Sequence, residues 1–299
     1  MFAAPMDVTA NRAEPASNAG KDGPLVGLEG VSLSFGEKTV LDGINLAVRP
    51  QERLVVMGQS GGGKSTLLRL VLGILQPTRG TVRFRGEEVN RLSRRKLNAM
   101  RSRVGMVYQY SALISSLNVR DNLALPMEEL TDKGEAEIEK TVDEKLELVR
   151  MRHVKDAMPA ELSGGMKKRI GLARALVLEP ELILFDEPSA GLDPVTSSVI
   201  DELIIDLTEQ TRATSIIVTH EMDSAFRVAT RMAMLYEGRF IADGPPADFK
   251  NSRHPVVAQF VSGRTDGPIS DEPGDGGKDR LKEAQGIPVA AIISELNAD

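Results

Sequence analysis

Residues 58–66 read "GQSGGGKST" and lie between the apolar run "RLVVM" and the leucine-rich stretch "LLRLVLGIL". They match the phosphate-binding pattern G-x-x-x-x-G-K-[ST], in which a strand leads into a glycine-rich loop and then a helix. Glycines let the backbone turn tightly, so that successive N–H groups point at phosphate oxygens. The beginning of the helix adds unpaired N–H donors. The stretch therefore predicts a nucleotide-binding loop, and the flanking patterns disfavour the alternative, a flexible glycine- and serine-rich linker.

Two side chains of this loop are expected to take part in the chemistry. Lys64 would reach the β- and γ-phosphates, so it is a candidate for both nucleotide binding and catalysis. The hydroxyl of Ser65 would bind Mg²⁺. The complete set of predicted nucleotide contacts in the loop is Gly58, Gln59, Ser60, Gly61, Gly62, Gly63, Lys64, Ser65 and Thr66.

The composition narrows the class of protein. The chain has no cysteine, which excludes disulfides and thiolate chemistry, and its three histidines form no cluster with zinc-ligand spacing. A net charge of −6 gives no indication of a nucleic-acid partner. The first residues lack the basic start and apolar core of a signal peptide, and no run of about 18 apolar residues occurs. We therefore expect that a membrane role would need a partner.

The pattern changes along the chain. Residues 1–24 are rich in Ala, Asn, Pro and Gly without periodicity and are expected to be a disordered lead. Residues 25–250 have the pattern of a compact α/β domain, with strand-like apolar runs at "RLVVMG", "VGMVYQ", "ELILFD", "TSIIVTH" and "RMAMLYEG". Between the second and third runs we expect a mostly helical insert, at about residues 92–178, that includes "SRRKLNAMRSRV" and "EAEIEKTVDEKLELVRM". Residues 251–269 form a C-terminal extension, and 270–299 an acidic tail that is expected to be flexible.

A second anion-binding helix start is predicted in "ELSGGMKKRIGLARAL", residues 161–176. Ser163 is a good N-cap, and Gly164 and Gly165 allow close backbone approach where the helix begins. The alternative is an ordinary helix cap followed by a solvated Lys-Lys-Arg face at residues 167–169.

An acidic pair follows the next strand-like run, in "LILFDEPSAGLDP". Asp186 and Glu187 at the end of a buried strand suit Mg²⁺ positioning by the first carboxylate and activation of water by the second. A surface acidic turn is the alternative, which is disfavoured after so apolar a strand. The run "TSIIVT" leads in the same way to His220, which could sense or polarise the γ-phosphate.

Together these motifs resemble a known family. "GQSGGGKST", Gln109 in "VYQYS", "LSGGM", "LILFDEP", "SAGLD" and "VTHE" stand in the order found in ATP-binding cassette (ABC) ATPases, and the resemblance covers residues 25 to about 250. It implies an α/β fold of the P-loop NTPase class and ABC type, with a mostly parallel core sheet, an antiparallel β part and an inserted helical subdomain.

The resemblance also implies a nucleotide site between two ATPase chains. The phosphate loop of one chain would bind ATP from one side, and Ser163, Gly164, Gly165 and Met166 of the other would close it. The metal would be held by Ser65 and Gln109, and by Asp186 through water. Glu187 would polarise the attacking water, His220 would contact the γ-phosphate, and Asp193 would communicate across the dimer. Phe35 in "SLSFG" stands where an aromatic ring stacks on adenine, although it could instead face the core as an ordinary strand residue.

Each chain carries one set of motifs, because no internal repeat is present. A complete pair of sites therefore needs two chains, and we expect a homodimer. ATP would close this dimer by bridging the two half-sites, and hydrolysis would remove the γ-phosphate contacts and reopen it.

Methionine at position 166, where most of the family has glutamine, narrows the resemblance. With "YQYSALISSLNVRDNLALPMEEL" and "FVSGRTDGPI", it makes the chain similar to the ATPase subunit of Mla-type lipid transporters of Gram-negative bacteria. That subunit lies peripherally on the cytoplasmic face of the inner membrane. The likeness implies phospholipid transport with a multi-span permease, a membrane-anchored MCE-domain lipid-binding protein and a small STAS-domain subunit. Residues 254–269 are candidates to reach the neighbouring ATPase chain. The loop after Gln109 is a candidate groove for a permease helix, and the alternative for its residues is ordinary packing inside the helical insert.

Three other functions are alternatives to phospholipid transport. An ATPase of a polar-solute importer, such as an amino-acid system, would share the same catalytic residues. A soluble ABC ATPase acting on ribosomes or DNA would usually carry two cassettes or a long coiled coil, and the sequence has neither. A binding module with a dead site is disfavoured because Lys64, Asp186, Glu187 and His220 are all present.

Overall fold

The computed structural model describes residues 23–269. The expected tail and all but the last two residues of the expected lead lie outside the described residues. The strands are β1 Val26–Phe35, β2 Lys38–Val48, β3 Arg53–Met57, β4 Arg79–Phe84, β5 Glu87–Glu88, β6 Val104–Val107, β7 Leu182–Asp186, β8 Thr214–Thr219, β9 Arg231–Tyr236 and β10 Arg239–Gly244. The α-helices are α1 Lys64–Val71, α2 Arg94–Arg101, α3 Val119–Leu130, α4 Glu135–Leu148, α5 Gly164–Ala175, α6 Pro194–Thr211, α7 Met222–Val228, α8 Pro246–Lys250 and α9 Pro255–Ser262.

The larger sheet confirms the predicted parallel core. Its strand order is β10-β9-β3-β8-β7-β6, and every pair except β10–β9 is parallel. All six residues of β8 and the last four of β3 are buried, which explains their continuously apolar sequences. Because the strands are parallel, the carboxyl ends of β3, β7 and β8 meet at one edge.

The smaller sheet is the predicted antiparallel part, with the order β2-β1-β4-β5. It packs over one face of the parallel sheet together with α1. Successive side chains of a strand point to opposite faces, and β3 shows this alternation. Leu54 and Val56 join the core beneath the antiparallel sheet, whereas Val55 and Met57 join the core shared with α3 to α7.

The helical region is arranged differently from the sequence expectation. Helix α2, in "SRRKLNAMRSRV", precedes β6 and does not follow it. Strand β6 lies inside the predicted insert at 92–178, but it pairs with β7 in the core sheet, from Val104 opposite Leu182 to Val107 opposite Phe185. The helices between β6 and β7 are therefore α3, α4 and α5. Strand β6 is the predicted run "VGMVYQ", so the helical patterns on either side of it belong to two separate parts of the chain.

The C-terminal extension folds back on itself. The Gln259 amide nitrogen donates to the Ile269 carbonyl at 2.9 Å, and the Ile269 N–H donates to the Gln259 side-chain oxygen at 2.7 Å. Ile269 also packs against the core shared with the helices. Contact of residues 254–269 with a neighbouring chain stays a prediction. Between Gly23 and Ile269, no helix has the length and apolar character that crossing a membrane requires.

Candidate nucleotide-binding site

The phosphate loop connects the end of β3 to the beginning of α1. Gly58 has φ 152°, and a Cβ placed on it would lie 2.2 Å from the Leu235 carbonyl oxygen in β9. Gly63 has φ 95° and is the N-cap of α1. Any other residue at position 58 would collide with the neighbouring strand, so this glycine lets the loop leave the sheet.

Lys64, the first residue of α1, is buried and points back into the loop. Its Nζ donates to the carbonyls of Gly58 at 2.8 Å and Gln59 at 3.0 Å. Glu187 Oε1 lies 3.6 Å from the same nitrogen. Burial lowers the pKa of Lys64, and the nearby carboxylates of Glu187 and Asp186 oppose this shift. The ammonium is thus held at the loop by uncharged carbonyl partners, which negatively charged phosphate oxygens could replace.

Ser65 and Asp186 are neighbours, as the metal prediction requires. The Ser65 hydroxyl donates to Asp186 Oδ1 at 2.8 Å. Burial raises the pKa of Asp186, whereas the Ser65 hydrogen bond lowers it. A carboxylate and a hydroxyl beside a phosphate loop fit Mg²⁺, which takes one or two protein oxygens together with phosphates and waters. Residues 23–269 hold no group of three or more His, Asp or Glu side chains with metal-site geometry.

Glu187 follows β7 in a left-handed conformation, with φ 50°. Its N–H donates to the Val218 carbonyl of β8 at 2.9 Å. Its carboxylate lies 2.9 Å from His220 Nδ1 and accepts the His220 backbone N–H at 3.3 Å. The structure therefore brings the predicted water-activating carboxylate and the predicted γ-phosphate contact together.

The "LSGGM" segment lies at the beginning of α5. The Ser163 hydroxyl accepts from the Met166 N–H at 3.3 Å and caps α5 as predicted. Gly165 packs so closely on α6 that an added Cβ would lie 2.9 Å from Thr196 Cγ2. Asp193 caps α6 by accepting N–H groups of Val195 and Thr196, both at 3.0 Å. These contacts join the beginnings of α5 and α6 to each other and not to the phosphate loop.

Phe35 and Gln109 complete the predicted set. Phe35 ends β1 and is 53% exposed, which excludes the alternative of a core residue. Gln109 lies two positions after β6, and its carbonyl accepts from Lys168 Nζ at 2.5 Å. Adenine stacking by Phe35 and metal binding by the Gln109 side chain stay predictions.

The loop after Gln109, residues 110–118, is held by side chains that the sequence analysis did not single out. Arg174 of α5 donates to the carbonyls of Ala112 at 2.7 Å and Ser111 at 3.0 Å. Asn122 of α3 accepts from the Ile114 N–H at 2.8 Å and donates to the Ile114 carbonyl at 3.1 Å. The loop is therefore fixed from two helices, while its aromatic residue, Tyr110, is 86% exposed.

A second unpredicted network fixes the segment after His220. Ser189 donates to Glu221 at 2.8 Å, and Ser224 donates to the fully buried Asp201 at 2.5 Å. Arg227 also donates to Asp201, at 2.8 Å. Ser189 and Glu221 adjoin recognisable motifs and could have been suspected on that ground. Asp201 and Arg227 carry no such signal, because only the packing of α6 on α7 pairs them.

Known proteins share both this sequence and this fold. Residues 41–190 match the family described as ABC transporter. The chain is 41% identical over 247 residues, 83% of its length and 71% of the relative's, to the probable ribonucleotide transport ATP-binding protein mkl of Mycobacterium leprae. It is 39% identical over 245 residues, 82% of its length and 93% of the relative's, to the intermembrane phospholipid transport system ATP-binding protein MlaF of Haemophilus influenzae.

A solved structure supports the same assignment. The dimeric post-hydrolysis state of an ATP-binding cassette bound to ADP and Pi aligns with a TM-score of 0.67 and 30% identity. The alignment covers 74% of this chain and 98% of that chain. The motif order, the strand-end carboxylates and these likenesses agree. The chain belongs to the family of ABC transporter ATP-binding proteins, which bind and hydrolyse ATP.

Proposed function

We propose that this chain is the ATPase subunit of a bacterial transporter that moves phospholipids between the inner and the outer membrane. The likeness to the intermembrane phospholipid transport ATPase carries the proposal, because this chain covers 93% of that relative at 39% identity. Methionine at position 166, in place of the glutamine usual for ABC ATPases, supports the same subfamily.

In the proposed reaction, Glu187 accepts a proton from the attacking water, and His220 contacts the γ-phosphate. The 2.9 Å contact between Glu187 Oε1 and His220 Nδ1 holds both groups toward one reacting centre. The Lys64 ammonium breaks its hydrogen bonds to the carbonyls of Gly58 and Gln59 and binds phosphate oxygens instead. Phe35 stacks on adenine, its exposed ring being free to do so.

Mg²⁺ is proposed to bind through Ser65, Asp186 and Gln109. When bound, the ion neutralises charge on the phosphate oxygens. The 2.8 Å hydrogen bond between Ser65 and Asp186 keeps two of these oxygen ligands together before the ion arrives. Asp186 is half-buried, so its carboxylate is positioned with little freedom.

The active form is proposed to be a homodimer with two composite sites. Ser163, Gly164, Gly165, Met166 and Asp193 of one chain close the nucleotide held by the other. This arrangement is supported by the exposure of Ser163 and Gly164 at the beginning of α5. It also explains why the contacts of this segment do not include the phosphate loop of its own chain.

The transporter is further proposed to contain a multi-span permease, an MCE-domain lipid-binding protein and a small STAS-domain subunit. The ATPase would lie peripherally at the cytoplasmic face of the inner membrane. The 86% exposed Tyr110, on a loop fixed from two helices, offers the permease a rigid contact surface. The ATP-binding domain is proposed to span residues 25–250, and the C-terminal extension residues 251–269.

Ribonucleotide transport is a second candidate, because the relative at 41% identity bears that name. The chain covers less of that relative, 71%, than of the phospholipid transport protein. Neither relative is named for amino-acid import, so an amino-acid importer is not favoured.

Purification of the complex tests the proposal. The tagged full-length chain would be purified from its own membranes in mild detergent, and its partners and bound small molecules identified by mass spectrometry. We expect a stoichiometric permease and an MCE-domain protein carrying phospholipid. A permease that binds ribonucleotides, or one paired with a periplasmic solute-binding protein, would contradict the substrate while leaving the ATPase assignment intact.

A further inference from the structure

Lys168 is a buried cation that joins three parts of the candidate site. It lies on α5, is 5% exposed, and does not belong to the solvated face that its Lys-Lys-Arg sequence would form. Its Nζ donates to the Gln109 carbonyl at 2.5 Å and to the Glu187 carbonyl at 3.3 Å. One side chain thus links the "LSGGM" helix, the loop after β6 and the predicted catalytic turn.

A lysine in this place is not explained by packing. Burial lowers the pKa of Lys168, and the carboxylates of Glu221, Glu187 and Asp186 oppose the shift. An apolar side chain of similar length would fill the space without that desolvation cost. The hydrogen bonds to Gln109 and Glu187 are therefore the feature that the lysine adds.

The hydrogen bond from Lys168 supports the backbone turn at Glu187. Its φ of 50° is unusual for a residue other than glycine, so the turn needs support from its surroundings. The Glu187 N–H donates to the Val218 carbonyl at 2.9 Å, and the Glu187 carbonyl accepts a hydrogen bond from Lys168 Nζ at 3.3 Å. With both ends fixed, the carboxylate is directed at His220.

We infer that Lys168 is a positioning residue that couples the "LSGGM" helix to the catalytic turn of the same chain. Helix α5 is capped by Ser163, which is proposed to close the partner chain's nucleotide. Its movement on closure would be transmitted through Lys168 to Glu187 and to the Gln109 loop. The state of one composite site would in this way set the geometry of the other. The inference rests on the proposed roles of Glu187 and Ser163.

The first experiment compares Lys168→Met with Lys145→Met in the full-length chain. Lys145 on α4 is a matched control, since it is also only 9% exposed and lies 3.9 Å from the Glu179 carboxylate. We expect Lys168→Met to lower kcat about tenfold, because a misplaced catalytic group loses its alignment, while ATP affinity stays within about twofold. Lys145→Met should keep the wild-type kcat.

A double-mutant cycle separates positioning from general destabilisation. If Lys168 acts through Glu187, adding Lys168→Met to Glu187→Gln should change the residual kcat by less than about twofold. Losses that multiply would overturn the inference. Lys168→Gln, which keeps an amide donor, enters the same cycle if Lys168→Met does not fold.

The remaining outcomes are equally decisive. Wild-type kcat in a folded Lys168→Met chain, which has no side-chain donor, would overturn the inference, as would loss of folding in both variants. Undiminished hydrolysis by Glu187→Gln alone would instead contradict the proposed role of Glu187. An inactive Glu187→Gln chain together with a fully active Lys168→Met chain would contradict only the inference about Lys168.

Discussion

The two halves of the candidate site are built in different ways. In the strand-end half, side chains from the beginning of α1 and from the segments that follow β7 and β8 contact one another at 2.8 to 3.6 Å within a single chain. In the helix-start half, Ser163–Met166 and Asp193 make hydrogen bonds that cap their own helices and leave Ser163 and Asp193 exposed. The strand-end half comprises Lys64, Ser65, Asp186, Glu187 and His220.

This difference has a physical origin. Parallel strands end at one edge of a sheet, so residues after β3, β7 and β8 meet without any further partner. A helix start presents unpaired N–H groups outward, and those of α5 are useful only when another molecule supplies the nucleotide. We therefore expect the first half to bind and position ATP within one chain, and the second half to be completed by the proposed second chain.

The largest effect is expected in the strand-end half. Glu187→Gln should lower kcat about 10²- to 10⁴-fold, because an amide cannot accept the proton of the attacking water. ATP binding should persist, since the phosphate loop is unchanged. The measurements are steady-state hydrolysis and equilibrium ATP binding. Glu202→Gln, at an exposed position of α6, is the matched control and should hydrolyse ATP normally. Normal hydrolysis by the Glu187 variant would remove this residue from catalysis.

The helix-start half is tested by combining two inactive chains. Lys64→Met should lose phosphate binding in its own loop, and Ser163→Arg should obstruct only the nucleotide of its partner. Equal amounts should form mixed dimers in half of the cases, each with one intact site, so about a quarter of wild-type hydrolysis should return. The readout is the ATPase rate of the mixture against each variant alone. Failure to recover activity would contradict a composite homodimeric site.

A third effect concerns folding of the phosphate loop rather than hydrolysis. Gly58→Ala should lower the free energy of unfolding by about 2–4 kcal/mol, since the new methyl group would meet the Leu235 carbonyl oxygen. Gly61→Ala is the control: Gly61 has φ 74° but no atom within 4 Å of an added Cβ, so a loss of about 1 kcal/mol is expected. Denaturant unfolding without nucleotide measures both, and equal losses would contradict the role assigned to the β9 contact.

The smallest effect on the isolated chain is expected at the loop after Gln109, which is proposed to contact the permease. Tyr110→Ala should change stability by less than about 0.5 kcal/mol and leave kcat unchanged, because the ring is 86% exposed. Binding to the permease should nevertheless weaken. Co-purification and unfolding of the same variant give both readings, and unchanged permease binding would exclude Tyr110 from that contact.

Much of the fold follows from local sequence patterns. The five apolar runs predicted as strands are β3, β6, β7, β8 and β9, because strands buried on both faces have no polar alternation to obscure them. The antiparallel strands were not located individually. Strand β1 is interrupted at Gly30, with φ 58°, and β2 at Gly43, with φ 64°, so each apolar pattern is broken into short pieces.

In the candidate site, too, some residues could be predicted from local sequence patterns and others could not. Lys64, Ser65, Asp186, Glu187 and His220 were identified because each directly follows or ends a recognisable apolar run or loop pattern. Lys168 was assigned to a solvated face as the alternative, since adjacent charges in a helix usually are solvated. Its burial depends on how α5 packs against the turn after β7, which no local pattern contains.

By itself, then, the sequence determined the phosphate loop, the strand-end acids, the order of the motifs and hence the family. These features depend on residues close together in the chain, where backbone geometry and burial of a single element decide the outcome. The tertiary structure alone decided that β6 pairs with β7 in the core sheet, that Asp201 pairs with Arg227, and that Lys168 donates hydrogen bonds to the carbonyls of Gln109 and Glu187. Such contacts join elements far apart in sequence, so they exist only once the sheet and its helices have packed.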